Sequence, residues 1–184
     1  MESRRRILIG GGARSGKSAF ALALARRLGR RRVLVATARA TDAEMEERIA
    51  RHRAERGDDF TTIEEPLDVS GVIMRLAGVD VMVLDCMTLW LSNLLVAGRR
   101  ESEILAQVDG LAEVLATVRF HSVVVTNEVG MGLVPDRPLG RVFRDLAGRA
   151  HQRLAGVVDE IYFGVLGTIV GLQPTTVLVG RCGP

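Results

Sequence analysis

An apolar run, Ile7 to Ile9, ends in the glycine-rich stretch Gly11-Gly12-Ala13-Arg14-Ser15-Gly16-Lys17-Ser18, and a helical pattern follows to Leu28. A glycine, four residues, then Gly-Lys-Ser is the spacing of a phosphate-binding P-loop, which requires a strand before it and a helix after it. Both flanks are present, which a chance match in a glycine-rich turn would lack. The glycines let the backbone curl so that successive N–H groups face phosphate oxygens, and the helix adds its positive end. Lys17 reaches the β/γ oxygens of ATP or GTP, and the Ser18 hydroxyl holds Mg²⁺. Of the 25 basic residues, 24 are arginine and Lys17 is the single lysine. A compact ammonium fits a tight phosphate site where a planar guanidinium does not.

The strand–helix alternation continues along the chain. Val33 to Thr37 reads as a strand, and Thr41 with Glu44 forms a capping box that opens a helix running to about Arg56. A weak strand spans Phe60 to Glu64, and a helix spans Leu67 to Leu76. The run Val79 to Leu84, apolar and β-branched apart from Asp80, and the run Ser122 to Thr126 both read as strands buried on two faces of a parallel sheet. Helices over Leu89 to Ala97 and Glu101 to Arg119 lie between them. A glycine- and proline-containing loop, Glu128 to Pro138, leads into a helix ending near Ala155. Strands near Glu160 to Val165 and at Thr175 to Val179 close the chain. The expected architecture is one domain, residues 1–184, with an α/β P-loop (RecA-like) fold. Its mostly parallel central sheet is flanked by helices, and its ligand sits at the carboxyl ends of the strands.

Hydrophobic residues make up 47% and charged residues 26% of the 184, a composition that excludes disorder. Apolar runs are too short to span a bilayer, and no apolar leader with a cleavage site opens the chain. Cys86 and Cys182 lack disulfide-framework or metal-ligand spacing, so a reducing, cytoplasmic setting is expected. The basic pI near 9.5 raises nucleic acid as a partner, but aromatics are only 4% of residues and the arginines are scattered. The arginines at 4–6 and 30–32 read as solvated ends, and Trp90 as core.

A metal-bridging acid belongs at the end of a buried strand beside the P-loop, and Asp85 has that place. The alternative is an ordinary strand-ending carboxylate. Asp80 is the weaker choice. Glu128, after the strand 122–127, is either a base, a second magnesium contact or structural. In the helix opened by Thr41, Met45, Ile49, His52 and Arg56 share one stripe. Arg48, Arg51, Arg53 and Arg56 around His52 would hold a phosphate and keep the imidazole neutral and nucleophilic. Spacing alone fits equally a core-edge histidine on a solvated face. His121 and His151 lack a nucleophile's surroundings.

The P-loop residues join Asn127-Glu128-Val129-Gly130-Met131-Gly132-Leu133-Val134-Pro135 and Phe143-Arg144-Asp145-Leu146-Ala147-Gly148-Arg149. With Ala36-Thr37, Asp42 to His52, Asn93-Leu94-Leu95 and Gln152 to Ala155, these resemble the bifunctional adenosylcobinamide kinase / adenosylcobinamide-phosphate guanylyltransferase family, over most of the chain to about Val165. The resemblance implies phosphorylation of the adenosylcobinamide hydroxyl with ATP or GTP, then transfer of GMP from GTP to adenosylcobinamide phosphate. It places a GMP-histidine intermediate on His52. It also places guanine-nucleotide contacts on Gly11 to Ser18, on Ala36, Thr37 and Ala38, on Arg53, Ala54, Glu55 and Arg56, and on Glu64 and Asp85. Mg²⁺ on Ser18 and Asp85 and a homotrimer are implied too. The chain departs from the family pattern at Ala38 (serine), Asp85 (glutamate), His151 (asparagine) and Arg51 (a histidine in some members).

Two other readings compete. A plain P-loop kinase would use Lys17 and Asp85 and not need His52. A RecA-like ATPase or nucleic-acid module would bind DNA or RNA in a salt-sensitive way. For the corrinoid, the loop Gly130 to Pro138 is the expected surface, across a subunit boundary.

Overall fold

The computed structural model of the chain describes residues 4–40, 43, 45–47, 50, 53, 57–174 and 179–181. Among these, eight strands form one sheet: β1 (Arg6–Gly11), β2 (Arg32–Ala36), β3 (Thr61–Glu64), β4 (Val81–Asp85), β5 (His121–Val125), β6 (Glu160–Val165), β7 (Thr168–Gln173) and β8 (Val179–Arg181). Five α-helices with described bounds accompany them: α1 (Lys17–Leu28), α2 (Val69–Arg75), α3 (Met87–Val96), α4 (Glu101–Thr117) and α5 (Pro138–Ala155). The order across the sheet is β3-β2-β4-β5-β1-β6-β7-β8. The first six run parallel, and β7 and β8 add antiparallel at one edge. This is the P-loop arrangement expected from the alternation of strands and helices.

Successive side chains of a strand leave the sheet on opposite faces, and the inner strands have apolar residues on both. Leu8, Val33, Val35, Met82, Leu84 and Val124 pack on one face with residues of α2, α3, α4 and α5. Ile7, Ile9, Leu34, Val81, Val83, Val123 and Val125 pack on the other with Ala21, Leu22 and Ala25 of α1. Hence the near-continuous apolar strands: both of their faces are covered. In α4, Ile104, Val108, Leu111 and Leu115 recur at the spacing that keeps one stripe on the sheet. Trp90 is core, as expected, and its indole N–H donates to the Leu67 carbonyl at 2.8 Å.

Two expectations meet a different outcome, and a third falls largely outside the described residues. Strand β4 starts at Val81 rather than Val79, because the Asp80 carboxylate accepts from the backbone N–H groups of Arg30 and Arg31 and from the Arg31 guanidinium. Asp80 thus ties down the turn at the amino ends of the strands, far from any phosphate. Strand β7 was not expected. It returns from β6 through Leu166 and Gly167, both at positive φ (50° and 71°), a turn suited to a two-residue hairpin but disguised by a leucine where glycine or asparagine is usual. Of the strand expected at 175–179, residues 175–178 lie outside the described residues. So do Thr41, Glu44 and His52; residues 43, 45–47, 50 and 53 are helical, as the capping box predicts.

Parallel pairing aligns the carboxyl ends in one row. Glu64 faces Ala36, Ala36 faces Asp85, Asp85 faces Val125, Val125 faces Ile9, and Ile9 faces Tyr162. The P-loop rises from the same row at β1, beside Gly164 of β6. A Cβ on Gly164 would lie 3.0 Å from Ser15 Oγ and 3.2 Å from the Ser15 carbonyl oxygen. Gly164→Ala should therefore displace the loop, at a cost of about 1–3 kcal/mol in urea unfolding. It should also weaken GTP binding measured by titration calorimetry, whereas unchanged affinity would show that the loop tolerates the shift.

Candidate nucleotide site

The cradle is built from backbone that only glycine adopts easily. Gly11 has φ 151°, and a Cβ there would meet the Gly164 carbonyl oxygen at 2.7 Å. Gly16 caps α1 in the left-handed region, at φ 83°. Ser15 N–H donates to the Gly12 carbonyl, closing the loop on itself at 3.3 Å. Lys17 is the first residue of α1 and only 7% exposed; its ammonium donates to the Gly12 carbonyl at 2.9 Å. That carbonyl is a weaker partner than a phosphate oxygen, so the ammonium can turn to an incoming anion. No acidic residue stands in the first turn of α1 to oppose one.

Asp85 ends β4, with β5 interposed between it and β1. Two strand steps put it about 10 Å across the sheet from the P-loop strand, on the side from which a phosphate-bound cation is reached. The next residue, Cys86, reports the local field. Burial pushes its thiol pKa up, the Asp85 charge adds to that, and the Lys17 ammonium works against it. Acid and ammonium therefore act on one buried point from opposite signs. Ser18 and Asp85 both offer hard oxygen donors. Among the described residues no group of three or more His, Cys, Asp or Glu could cage a metal. Magnesium, which keeps water and phosphate oxygens as ligands, fits such a sparse donor set.

The remaining nucleotide-contact candidates follow the same row. Thr37 directly follows β2 and is fully buried; its Oγ1 donates to the Cys86 carbonyl at 2.7 Å and accepts from Cys86 N–H at 2.9 Å. Asn93 Nδ2 donates to the Thr37 carbonyl at 2.8 Å, and Asn127 Nδ2 to Thr88 Oγ1 at 3.0 Å. Thus the Asn93 and Asn127 motifs staple the ends of β2, β4 and β5 together. Ala36 ends β2, Thr37 and Ala38 continue it, and Glu64 ends β3, where its carboxylate pairs with the Arg53 guanidinium. His52, Ala54, Glu55 and Arg56 lie outside the described residues.

The other two histidines divide. His121 starts β5 at the amino end, where its Nδ1 accepts from Arg5 N–H at 3.0 Å. His151 lies at the carboxyl end: its Nε2 is 2.8 Å from Thr126 Oγ1, and its Nδ1 is 3.7 Å from Glu128 Oε2. Burial lowers its pKa, opposed by the Glu128 charge, so the neutral form is favoured. Its position was legible in the spacing, since Ala147, His151 and Leu154 share the inward stripe of α5.

A family model described as cobinamide kinase / cobinamide phosphate guanyltransferase matches residues 7–172. The chain belongs to this family. A relative from Pseudomonas aeruginosa, "Bifunctional adenosylcobalamin biosynthesis protein CobP", is 40% identical, covering 91% of this chain and 97% of its own length. The Salmonella typhimurium protein "Bifunctional adenosylcobalamin biosynthesis protein CobU" is 39% identical, covering 91% and 99%. At the level of fold alone, the RadB recombinase superposes with a TM-score of 0.51 at 15% identity, over 96% of this chain and 80% of that one. For this member of the cobinamide kinase / cobinamide phosphate guanyltransferase family, two of the stretches that carry the resemblance, 11–18 and 127–135, converge on the carboxyl ends of β1 and β5. Among the described residues no helix is long and apolar enough to cross a membrane.

The cradle makes a sharp prediction for its lysine. Both Lys17→Ala and Lys17→Arg should weaken GTP binding by about 10- to 100-fold, the worth of one charge-assisted hydrogen bond. Native affinity in Lys17→Arg, read by fluorescent-nucleotide titration, would show that charge alone suffices.

Proposed function

We propose that the chain phosphorylates the hydroxyl of adenosylcobinamide with ATP or GTP and then transfers GMP from GTP to the resulting phosphate, giving adenosylcobinamide-GDP. The observation that carries this reading is the meeting of the P-loop and the strand-ending Asp85 at one edge of the sheet, in a chain matched to the family over residues 7–172. The N–H groups of Gly11, Gly12, Ala13, Arg14, Ser15 and Gly16 bind the phosphates, and Lys17 neutralises charge that builds on the leaving oxygens. Ser18 and Asp85 hold Mg²⁺, which when bound screens the phosphate charges and orients them.

For the second reaction His52 is the proposed nucleophile. Its neutral imidazole nitrogen attacks the α-phosphorus of GTP, the bond to the β-phosphate oxygen breaks, and pyrophosphate leaves. An oxygen of adenosylcobinamide phosphate then attacks the same phosphorus, the P–N bond breaks, and the imidazole is restored. Ala36, Thr37 and Ala38, the segment Arg53, Ala54, Glu55 and Arg56, and Glu64 hold the guanine nucleotide. The Arg53–Glu64 ion pair supports this grouping, because it ties the helical residue after His52 to the end of β3. One phosphate cradle then serves both steps in a single domain of residues 1–184, working in the cytoplasm as a homotrimer.

The corrinoid is assigned to the loop after β5. Met131, Leu133 and Val134 are strongly exposed there, Leu133 at 96%, and an open groove of about 530 Å³ between loop, α3 and α5 is lined by Leu95, Val96, Pro135, Leu139 and Phe143. An apolar-lined groove and, on the same loop, exposed apolar side chains suit a bulky, partly apolar ligand. Val134→Asp should raise the KM for cobinamide several-fold without changing that for the nucleotide; an unchanged cobinamide KM would place the corrinoid elsewhere.

The histidine step is tested by incubating the native protein and His52→Ala with α-labelled GTP and Mg²⁺. An acid-labile, alkali-stable label is expected on the native chain and absent from the variant. A native protein that phosphorylates cobinamide but takes no label would be a kinase alone. A label surviving in His52→Ala would move the nucleophile to another residue.

A further inference from the structure

The cluster Thr126–His151–Glu128 stands at the carboxyl end of β5 and has no part in the functions assigned so far. Strand β5 is the one between β1, which carries the P-loop, and β4, which ends in Asp85. The Glu128 N–H donates to the carbonyl of Gly11 at 3.0 Å, and the Thr126 N–H to that of Ile9 at 2.9 Å. Glu128 is thus tied by its own backbone to the first residue of the phosphate loop, between the cradle and the proposed magnesium acid.

Its carboxylate is held differently from the paired acids elsewhere in the protein. Glu160, Asp159, Asp80, Glu103 and Asp109 each pair with an arginine. Among the described residues, no arginine forms an ion pair with Glu128, in a chain with 24 arginines. Its Oε1 accepts from the Gly130 N–H at 2.5 Å, and its Oε2 faces His151 Nδ1 at 3.7 Å. About a quarter of the side chain remains exposed, so solvent or substrate reaches it.

His151 fits a positioning role. Thr126 Oγ1 lies 2.8 Å from Nε2, and the threonine hydroxyl can donate there, leaving the Nδ1 proton directed at Glu128. Burial keeps the ring neutral, so it can orient the carboxylate without neutralising it. A carboxylate fixed on one oxygen by a main-chain N–H and faced on the other by an imidazole N–H is pre-aimed.

We propose that Glu128 is the general base of the kinase reaction and that His151, locked by Thr126, positions it. The cobinamide hydroxyl gives its proton to the Glu128 carboxylate as its oxygen attacks the γ-phosphorus. The bond to the β-phosphate oxygen breaks, the nucleoside diphosphate leaves with the electron pair, and the glutamic acid returns its proton to solvent. The inference rests on the phosphate placement and kinase activity proposed above, and not on the histidine intermediate. The guanylyl transfer needs no such base, since its acceptor is already an anionic phosphate oxygen.

The test follows cobinamide phosphorylation and, separately, α-labelled GTP self-labelling in the native protein, Glu128→Gln, His151→Leu and His151→Asn. Glu128→Gln should lose about 100-fold or more of the kinase kcat with little change in nucleotide KM, while still taking the label. His151→Leu should lower the kinase kcat at least about tenfold at unchanged nucleotide KM. His151→Asn, whose amide offers one donor and one acceptor side as the neutral imidazole does, should restore most of it. A Glu128→Gln kinase rate within about threefold of native overturns the base assignment. Loss of nucleotide binding in that variant would make Glu128 a structural strut and overturn it equally. His151→Asn as impaired as His151→Leu overturns the positioning role. Failure of the native protein to phosphorylate cobinamide would instead overturn the underlying kinase reading.

Discussion

At the carboxyl end of β1 two backbones meet with no room for a side chain between them. Gly11 approaches the carbonyl of Gly164 so closely that a Cβ would lie 2.7 Å from it, and Gly164 in turn lies against Ser15. This contact lets the phosphate loop fold tightly over the sheet, because β6 pairs in parallel with β1 all the way to the Gly11–Gly164 level. The loop shape, the left-handed cap at Gly16 and the buried ammonium of Lys17 all follow from it. A larger residue at either glycine would lift the loop and misdirect its N–H groups.

Around that contact the sheet acts as a ruler. Parallel pairing without register breaks from β3 to β1 sets Glu64, Ala36, Asp85, Val125 and Ile9 in one row, so residues 61 positions apart in sequence, Glu64 and Val125, share the same edge. Side chains at strand ends gain freedom there because the ladder no longer consumes their backbone groups, and polar staples take over. Thr37 closes on Cys86, Asn93 on Thr37, and Asn127 on Thr88. These buried bonds keep the strand ends from splaying, which a site that must align two phosphate chemistries requires. The opposite edge carries a different chemistry. Arg5–Glu160, Arg6–Asp159 and Arg31–Asp80 pair at the amino ends, so these three arginines are engaged in structure.

Legibility followed the range of the interactions. Strands β1 to β6, helices α1 to α5, and Trp90 as core could be read because periodicity and P-loop spacing are local. Strand β7 could not, since its hairpin turns on Leu166 at φ 50°, a conformation that leucine's own preferences conceal. Asp85, at the end of its apolar run, is the preferred acid by position, and Asp80, inside the run, the weaker choice. The bonds of Arg30 and Arg31 to Asp80 give that acid its own place, tying the turn at the amino ends of the strands.

The sequence by itself determined the family, the phosphate loop and the alternation of strands with helices, because each rests on residues a few positions apart whose steric and hydrogen-bonding needs are local. The tertiary structure decided which distant side chains act together. It set Asp85 two strand steps from the cradle, with β5 between them, and it turned His151 of α5 toward Thr126 and Glu128. The reason is physical: which strand lies between β1 and β4, and how α5 rotates on them, depends on burying both faces of the sheet at once, a condition no short stretch of sequence can express.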